Sequence, residues 1–225
     1  MSRRPRLILP GFPHHVTHRG NRRSPIFRDD ADRRFYLSKL ALYVARYELR
    51  LYAYSLMTNH VHHILVPPTR EAASCCFRDL HGLYADYFNG KYCLDGHLWQ
   101  ERFFACVLDD AHLWNAVRYV EQNPVRAGMV EKAEDYRWSS ARAHCGLILD
   151  PLLDSDFPPA GLIPDWRAWL ADELSAGALE EIRTATWKGI PCANEDLIRE
   201  LERLTGIPLL PRRQRGPVRR PTVSR

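Results

Sequence analysis

Residues 51–68 read LYAYSLMTNHVHHILVPP, two β-rich runs around a short break marked by Asn59. The tyrosines, leucines, isoleucine and valines of both runs suit a pleated, half-buried surface. Pro67-Pro68 stops the second run, because proline cannot donate to a sheet ladder. The pattern predicts strands over 51–57 and 60–66. Strand parity carries a chemical consequence. Residues i and i+2 share one face of a strand, so His60 and His62 project together while Val61 and His63 face the other way. Two imidazoles so placed can grip one metal ion, whereas helical spacing would splay them apart. The plain alternative is the polar face of a half-buried strand, and an isolated HxH does not decide between the two.

Working outward, FPHHVTH (12–18) reads as a strand followed by the turn-like RGNRRSP. Asp29 or Asp30 can cap a helix that runs to about Glu48, with Tyr36, Leu40, Tyr43, Val44 and Tyr47 as its apolar stripe. Residues 70–89 look helical and end at Asn89-Gly90; LWQERFFACVL (98–108) reads as a strand. Asp109-Asp110 open a helix through about Gln122, which Asn123-Pro124 ends. The order strand, helix, strand, strand, helix, strand, helix predicts an α+β fold. Its core would be a ferredoxin-like split βαβ arrangement, an antiparallel sheet with helices on one side. Past about residue 150, LDPLLDSDFPPAGLIP is a proline-rich connection to two or three helices. The last of these has Asn194 as cap, a Leu197, Leu201 and Leu204 stripe, and Gly206 as stop. The expected division is a core domain over 1–150, a helical C-terminal segment over 151–210 and a disordered basic tail over 211–225.

No stretch approaches the run of about 20 apolar residues needed to span a bilayer. The opening MSRRPRLILPGF is basic, then too briefly apolar for a signal peptide, and Pro10 interrupts it. A cytoplasmic protein with no membrane partner is expected. The six cysteines are scattered without a CxxC pair and read as reduced thiols. The formal net charge is +5, but the last fifteen residues hold six arginines and no acid, so the remainder is near neutral. Arg3, Arg4, Arg6, Arg19, Arg22, Arg23 and Arg28 crowd the other end. Two basic ends suggest a polyanion partner. The alternative is a solvated tail in a chain that prefers arginine, with 28 Arg against 4 Lys.

Tyr119 lies in WNAVRYVEQNPVRAG, with Asn123 four residues on and hence on the same helical face if the helix persists that far. Tyr119 is a candidate nucleophile, Asn123 a candidate oxygen ligand, and Arg118 and Arg126 candidate phosphate contacts. Against this, a tyrosine on an amphipathic helix is usually core or boundary, and Asn-Pro is usually a helix stop. Spacing alone does not single out Tyr119 among ten tyrosines. His14, His15 and His18 sit in a presumed strand; His81, His97, His112 and His144 have no partner at metal spacing. No GxSxG, Walker loop or HExxH occurs.

Taken in order, GFPHHVTHRGNRRSPIF, MTNHVHHILV, LWQERFFACVLD, YVEQNPVRAGMV and YRWSSARAH resemble the REP-associated tyrosine transposases. These belong to the HUH single-tyrosine, IS200-like transposases. The resemblance covers residues 11 to about 145 and continues more loosely through TWKGIPCANEDLIRELERLTGIPLLPRRQRGP. It implies His60 and His62 as metal ligands, Asn123 as the third ligand and Tyr119 as nucleophile, on a ferredoxin-like core. It implies a divalent cofactor, Mg²⁺ or Mn²⁺, and as partner single-stranded DNA beside a hairpin, typically a repetitive extragenic palindrome. Cleavage would pass through a 5′-phosphotyrosine. Arg19, Arg22, Arg23, Arg118, Arg126, Arg212, Arg213 and Arg215 are the expected DNA contacts, in a monomer or homodimer. Two departures stand out: Glu101 replaces a usual glycine, and GIPCA stands where the family reads GRPLG. Two other readings remain: a hairpin-binding protein that has lost catalysis, and an unrelated metal hydrolase using His60 and His62. The hydrolase would need an acidic third ligand and a base, for which no motif is evident.

Overall fold

Four strands form one antiparallel sheet in the computed structural model, which describes residues 6–159 and 161–209. They are β1 (His14–Arg19), β2 (Arg50–Leu56), β3 (His60–Val66) and β4 (Phe104–Val107), in the order β2-β3-β1-β4. β2 and β3 are the hairpin expected from 51–66. β1 inserts beside β3, so the chain must cross over twice, through α1 (Asp30–Arg46) and α2 (Ala72–Tyr92). This is the ferredoxin-like topology. Asp29 starts α1 by accepting from Asp32 N, in a capping box worth about 1 kcal/mol. Lys91 of α2 reaches both Asp29 and the buried Asp32 at 2.7 Å, tying the two crossover helices together.

Side-chain alternation gives the sheet two apolar faces. Val16, Val61, Leu65 and Ala105 meet Tyr36 and Leu40 of α1 and Phe77, Leu80 and Tyr84 of α2. Ala53, Ile64 and Cys106 point the other way, into a second core shared with α3 (Asp110–Glu121) and α7 (Ala176–Lys188). Helices therefore cover both faces, where the sequence pattern suggested one. The reason is the apolar stripe of α3, Leu113, Ala116, Val117 and Val120, which needs a surface that α1 and α2 do not already occupy.

Two boundaries differ from the expected ones. α2 runs through Gly90 to Tyr92 and turns at Cys93, φ 53°, because its extra turn gives Lys91 and Tyr92 partners in Asp29 and Asp32. The strand expected over 98–108 shrinks to Phe104–Val107, since Glu101 at φ 57° breaks the extended run and Trp99 keeps only an isolated bridge to Gly20. α3 closes at its C-cap Gln122, as expected, and a separate short α4 (Asn123–Arg126) starts at once, with Pro124 in its first turn, where a missing N–H costs nothing.

Two short helices follow, α5 (Ala141–His144) and α6 (Trp166–Ala171). α7 starts at the Ser175 cap, ends at Gly189 with φ 63°, and lies against β4 and β1. Residues up to Ala193 make one compact unit and those from Asn194 a second. In the second, α8 (Glu195–Thr205) is capped by Asn194 and stopped by Gly206 as expected, although Leu204 of the expected stripe is exposed. Arg3 and Arg4, Arg212, Arg213 and Arg215, and the whole expected tail, lie outside the described residues. All six cysteines are free. No described helix is long and apolar enough to cross a membrane.

Candidate active site

β3 presents His60 and His62 on one face, their ring centroids 4.8 Å apart. His63 is fully buried on the opposite face against Phe77, so the parity argument holds. α3 packs over the His60/His62 face and brings Tyr119 edge-on to the His62 ring at 5.6 Å and to the His15 ring at 5.7 Å. His15, His60, His62 and Tyr119 line one cavity of about 280 Å³.

A directed hydrogen-bond chain runs beneath this cavity. The Thr186 hydroxyl donates to the Ile182 carbonyl at 2.7 Å, so its oxygen is free to accept from His15 Nδ1 at 2.8 Å. With its proton on Nδ1, His15 has only a lone pair at Nε2, which accepts from His62 Nδ1 at 2.8 Å. His62 must then carry its own lone pair at Nε2, and that atom is buried without a partner. Such an orphan costs about 1–3 kcal/mol unless something binds it. His60 is oriented the same way: Asn59 Nδ2 donates to the Arg23 carbonyl at 3.0 Å, which turns Asn59 Oδ1 to accept from His60 Nδ1 at 2.7 Å. Both rings thus offer Nε2. Burial also keeps them neutral, pulling His60 down to about 4, His15 to about 3 and His62 well below its ordinary value. Neutral imidazoles with fixed tautomers are what a metal ion requires, so the donor set fits a divalent cation.

The other expected residues are placed differently. Asn123 does not line the cavity; its Oδ1 accepts from Arg126 Nη2 at 3.0 Å, and its Nδ2 is buried without a partner. Arg126 also donates to the Tyr119 carbonyl and lies 4.6 Å from the Tyr119 ring centroid. Arg118 stacks over Trp169 at 4.3 Å. Neither guanidinium lines the cavity. Arg19 does, and with Arg22 and Arg23 it also lines an adjoining cleft of about 610 Å³.

Sequence reasoning missed His15 as a partner of His62, and missed Thr186, Arg183, Phe104 and Trp187, which share the cavity. His15 was visible as a strand histidine, but only strand pairing places it diagonal to His62. Thr186 and Arg183 carry no local signal. A separate cluster forms where His112, Glu181 and Cys192 bring three possible ligand atoms within 4.8 Å of one another, with His112 Nδ1 held by Asp109 at 2.6 Å. It includes neither His60 nor His62.

A family model described as "Transposase IS200 like" matches residues 11–123. A solved REP-associated tyrosine transposase bound to a REP hairpin is similar in fold, with a TM-score of 0.54 at 21% identity, covering 66% of this chain and 89% of that one. A structure described as a transposase from Deinococcus radiodurans R1 aligns at 16% identity and a TM-score of 0.38, over 54% of this chain and 97% of that one. No curated protein matches the chain.

Proposed function

From the premise that the chain belongs to the IS200-like transposase family, we propose that it cuts and rejoins single-stranded DNA beside palindromic hairpins through a 5′-phosphotyrosine on Tyr119. The observation that carries this reading is Tyr119 packed edge-on against His62, whose Nε2 is buried and unpartnered. The fold relative solved with a REP hairpin supports the hairpin as partner.

His60 and His62 would hold Mg²⁺ or Mn²⁺ through Nε2, with Asn123 Oδ1 as the third ligand; imidazoles favour Mn²⁺ somewhat. A bound divalent ion supplies Lewis-acid polarisation of the scissile phosphate. The Tyr119 phenol oxygen attacks phosphorus and its proton leaves. The P–O3′ bond breaks, and the departing 3′ oxygen takes up a proton. The ester to tyrosine conserves the bond energy, so an incoming 3′-OH can reseal the strand without ATP. Arg19, Arg22, Arg23 and Arg183 supply positive charge along the approach, and contacts of this kind position the backbone. Arg126 braces the turn that carries Tyr119 and Asn123. Arg212, Arg213 and Arg215 would add phosphate contacts from the tail.

One observation favours a second reading, hairpin binding without catalysis: Asn123 Oδ1 is engaged by Arg126 rather than facing the cavity. Incubation with an end-labelled, hairpin-bearing single strand and Mn²⁺, followed by denaturing electrophoresis, separates the two. A covalent protein–DNA adduct that disappears in Tyr119→Phe, with binding retained, is the expected result. Binding by the wild type without any adduct selects the second reading.

A further inference from the structure

Trp187 is the most exposed tryptophan among the described residues, with 63% of its surface open. Trp99, Trp138 and Trp166 are buried, as an indole in a packed domain usually is. Trp187 stands near the end of α7, with its ring stacked on Phe104 of β4, centroids 4.7 Å apart and planes 23° from parallel. Both rings line the cavity that holds His60, His62 and Tyr119. Trp187 also lines the adjoining cleft, where Arg19, Arg22, Arg23, Arg183 and Lys188 outnumber a single carboxylate, Glu180. The indole therefore stands where the reactive cavity opens into a cationic groove.

We propose that Trp187, backed by Phe104, is a stacking platform for one unpaired nucleobase next to the phosphate that Tyr119 attacks. The physical case has three parts. An exposed indole is costly to leave in water, and its π face suits a flat heteroaromatic ring. Phe104 supports the indole from beneath, so little further ordering is needed when a base lands on it. The cations around the groove suit a polyanionic backbone, and alternating cationic and aromatic contacts are how proteins hold single strands without reading their sequence. A duplex cannot use this platform, because its bases are already stacked on one another. The subsite thus selects unpaired DNA at the cleavage point and leaves sequence choice to other contacts. The proposal rests on the single-strand reading above.

The test is a binding measurement without cleavage. Fluorescein-labelled, hairpin-bearing single strands, each with one abasic position stepped through the unpaired flank, are titrated in EDTA against the wild type, Trp187→Ala and Trp187→Phe. For the wild type, one abasic position should cost about tenfold in affinity, the scale of one base–aromatic stack. Trp187→Ala should bind the intact strand about tenfold more weakly and become indifferent to that abasic position, and Trp187→Phe should keep most of both effects. Thermal melting checks that the variants fold. If the wild type shows no base-sensitive position, or Trp187→Ala keeps the same abasic profile, the platform is overturned while the strand-cleavage reading stands. If the wild type binds no single strand at all, both fall.

Discussion

His15 Nε2 accepts a hydrogen bond from His62 Nδ1 across 2.8 Å, between strands whose registers set the two residues diagonal to each other. That bond engages His62 Nδ1 and leaves Nε2 as the nitrogen without a partner. It is itself decided by Thr186, 171 residues further along the chain than His15.

Thr186→Val tests this relay. The change removes the acceptor for His15 Nδ1 and lets His15 shift its proton to Nε2. His62 would then have to accept at Nδ1 and carry its own proton on Nε2, which blocks ligation. Partners of this kind typically contribute 10–100-fold in metal affinity, so calorimetric Mn²⁺ binding should weaken by roughly that factor. Thr186→Ser should restore it. A valine variant that binds Mn²⁺ like the wild type means the relay does not set the tautomer.

His62→Ala and His63→Ala should fail in different ways. His62→Ala removes a proposed ligand and should abolish measurable Mn²⁺ binding. His63 is fully buried on the other face, beside Phe77 and 3.4 Å from the Tyr36 hydroxyl. Its truncation leaves a cavity, with a stability loss on the order of 2–4 kcal/mol by analogy with other buried rings, while the folded fraction keeps its metal affinity. Urea denaturation and Mn²⁺ titration on the same samples separate the effects. Loss of metal binding in folded His63→Ala would contradict the assigned strand faces.

Gly20→Ala should disturb the arginine turn. A Cβ there would clash with the Ser24 backbone oxygen and lie 2.7 Å from the Ile26 side chain. The turn it would displace holds Arg22 and Arg23 at φ 53° and 61°, already in the left-handed region. Overpacking of this kind costs about 1–3 kcal/mol. Single-strand affinity should fall, with a weaker dependence on salt as phosphate contacts are lost. Unchanged melting and an unchanged salt slope would exclude the cleft as the DNA path.

Mild acid should destabilise the fold. Burial pulls His14 and His18 down to about 4 and His81 well below its ordinary value. Neutral His14 donates from Nδ1 to the Phe12 carbonyl and accepts at Nε2 from Leu9 N, which protonation would forbid. Folded values lie below the unfolded value near 6.5, so the unfolded chain binds more protons between them. Stability is then full above about pH 6.5 and falls as the pH drops toward 4. Urea midpoints that stay flat from pH 7 to about 4.5 would show these histidines to be free to ionise in the fold.

Much of the site was legible locally. Strand parity, a period of two residues, separates His60 and His62 from His63; the four-residue spacing of Tyr119 and Asn123 did not suffice, because Asn123 falls on α4 and Arg126 engages its amide oxygen outside the cavity. Cap chemistry located the starts of α1, α3 and α8. The end of α2 failed because distant groups intervene, Asp29 and Asp32 drawing the helix on to Tyr92, and the start of β4 failed because Glu101 takes a left-handed backbone that the strand pattern does not announce.

What the sequence determined by itself is the order of elements and the face of β3 from which His60, His62 and His63 each leave. The tertiary structure alone decided that α3 and α7 cover the second face of the sheet, that His15 and Thr186 orient His62, and that Trp187 on Phe104 stands at the mouth of the cavity. The division is physical. Backbone periodicity links a residue to neighbours a few positions away, whereas β1 beside β3 and α7 beside β4 arise from pairing and burial between segments that share no local pattern.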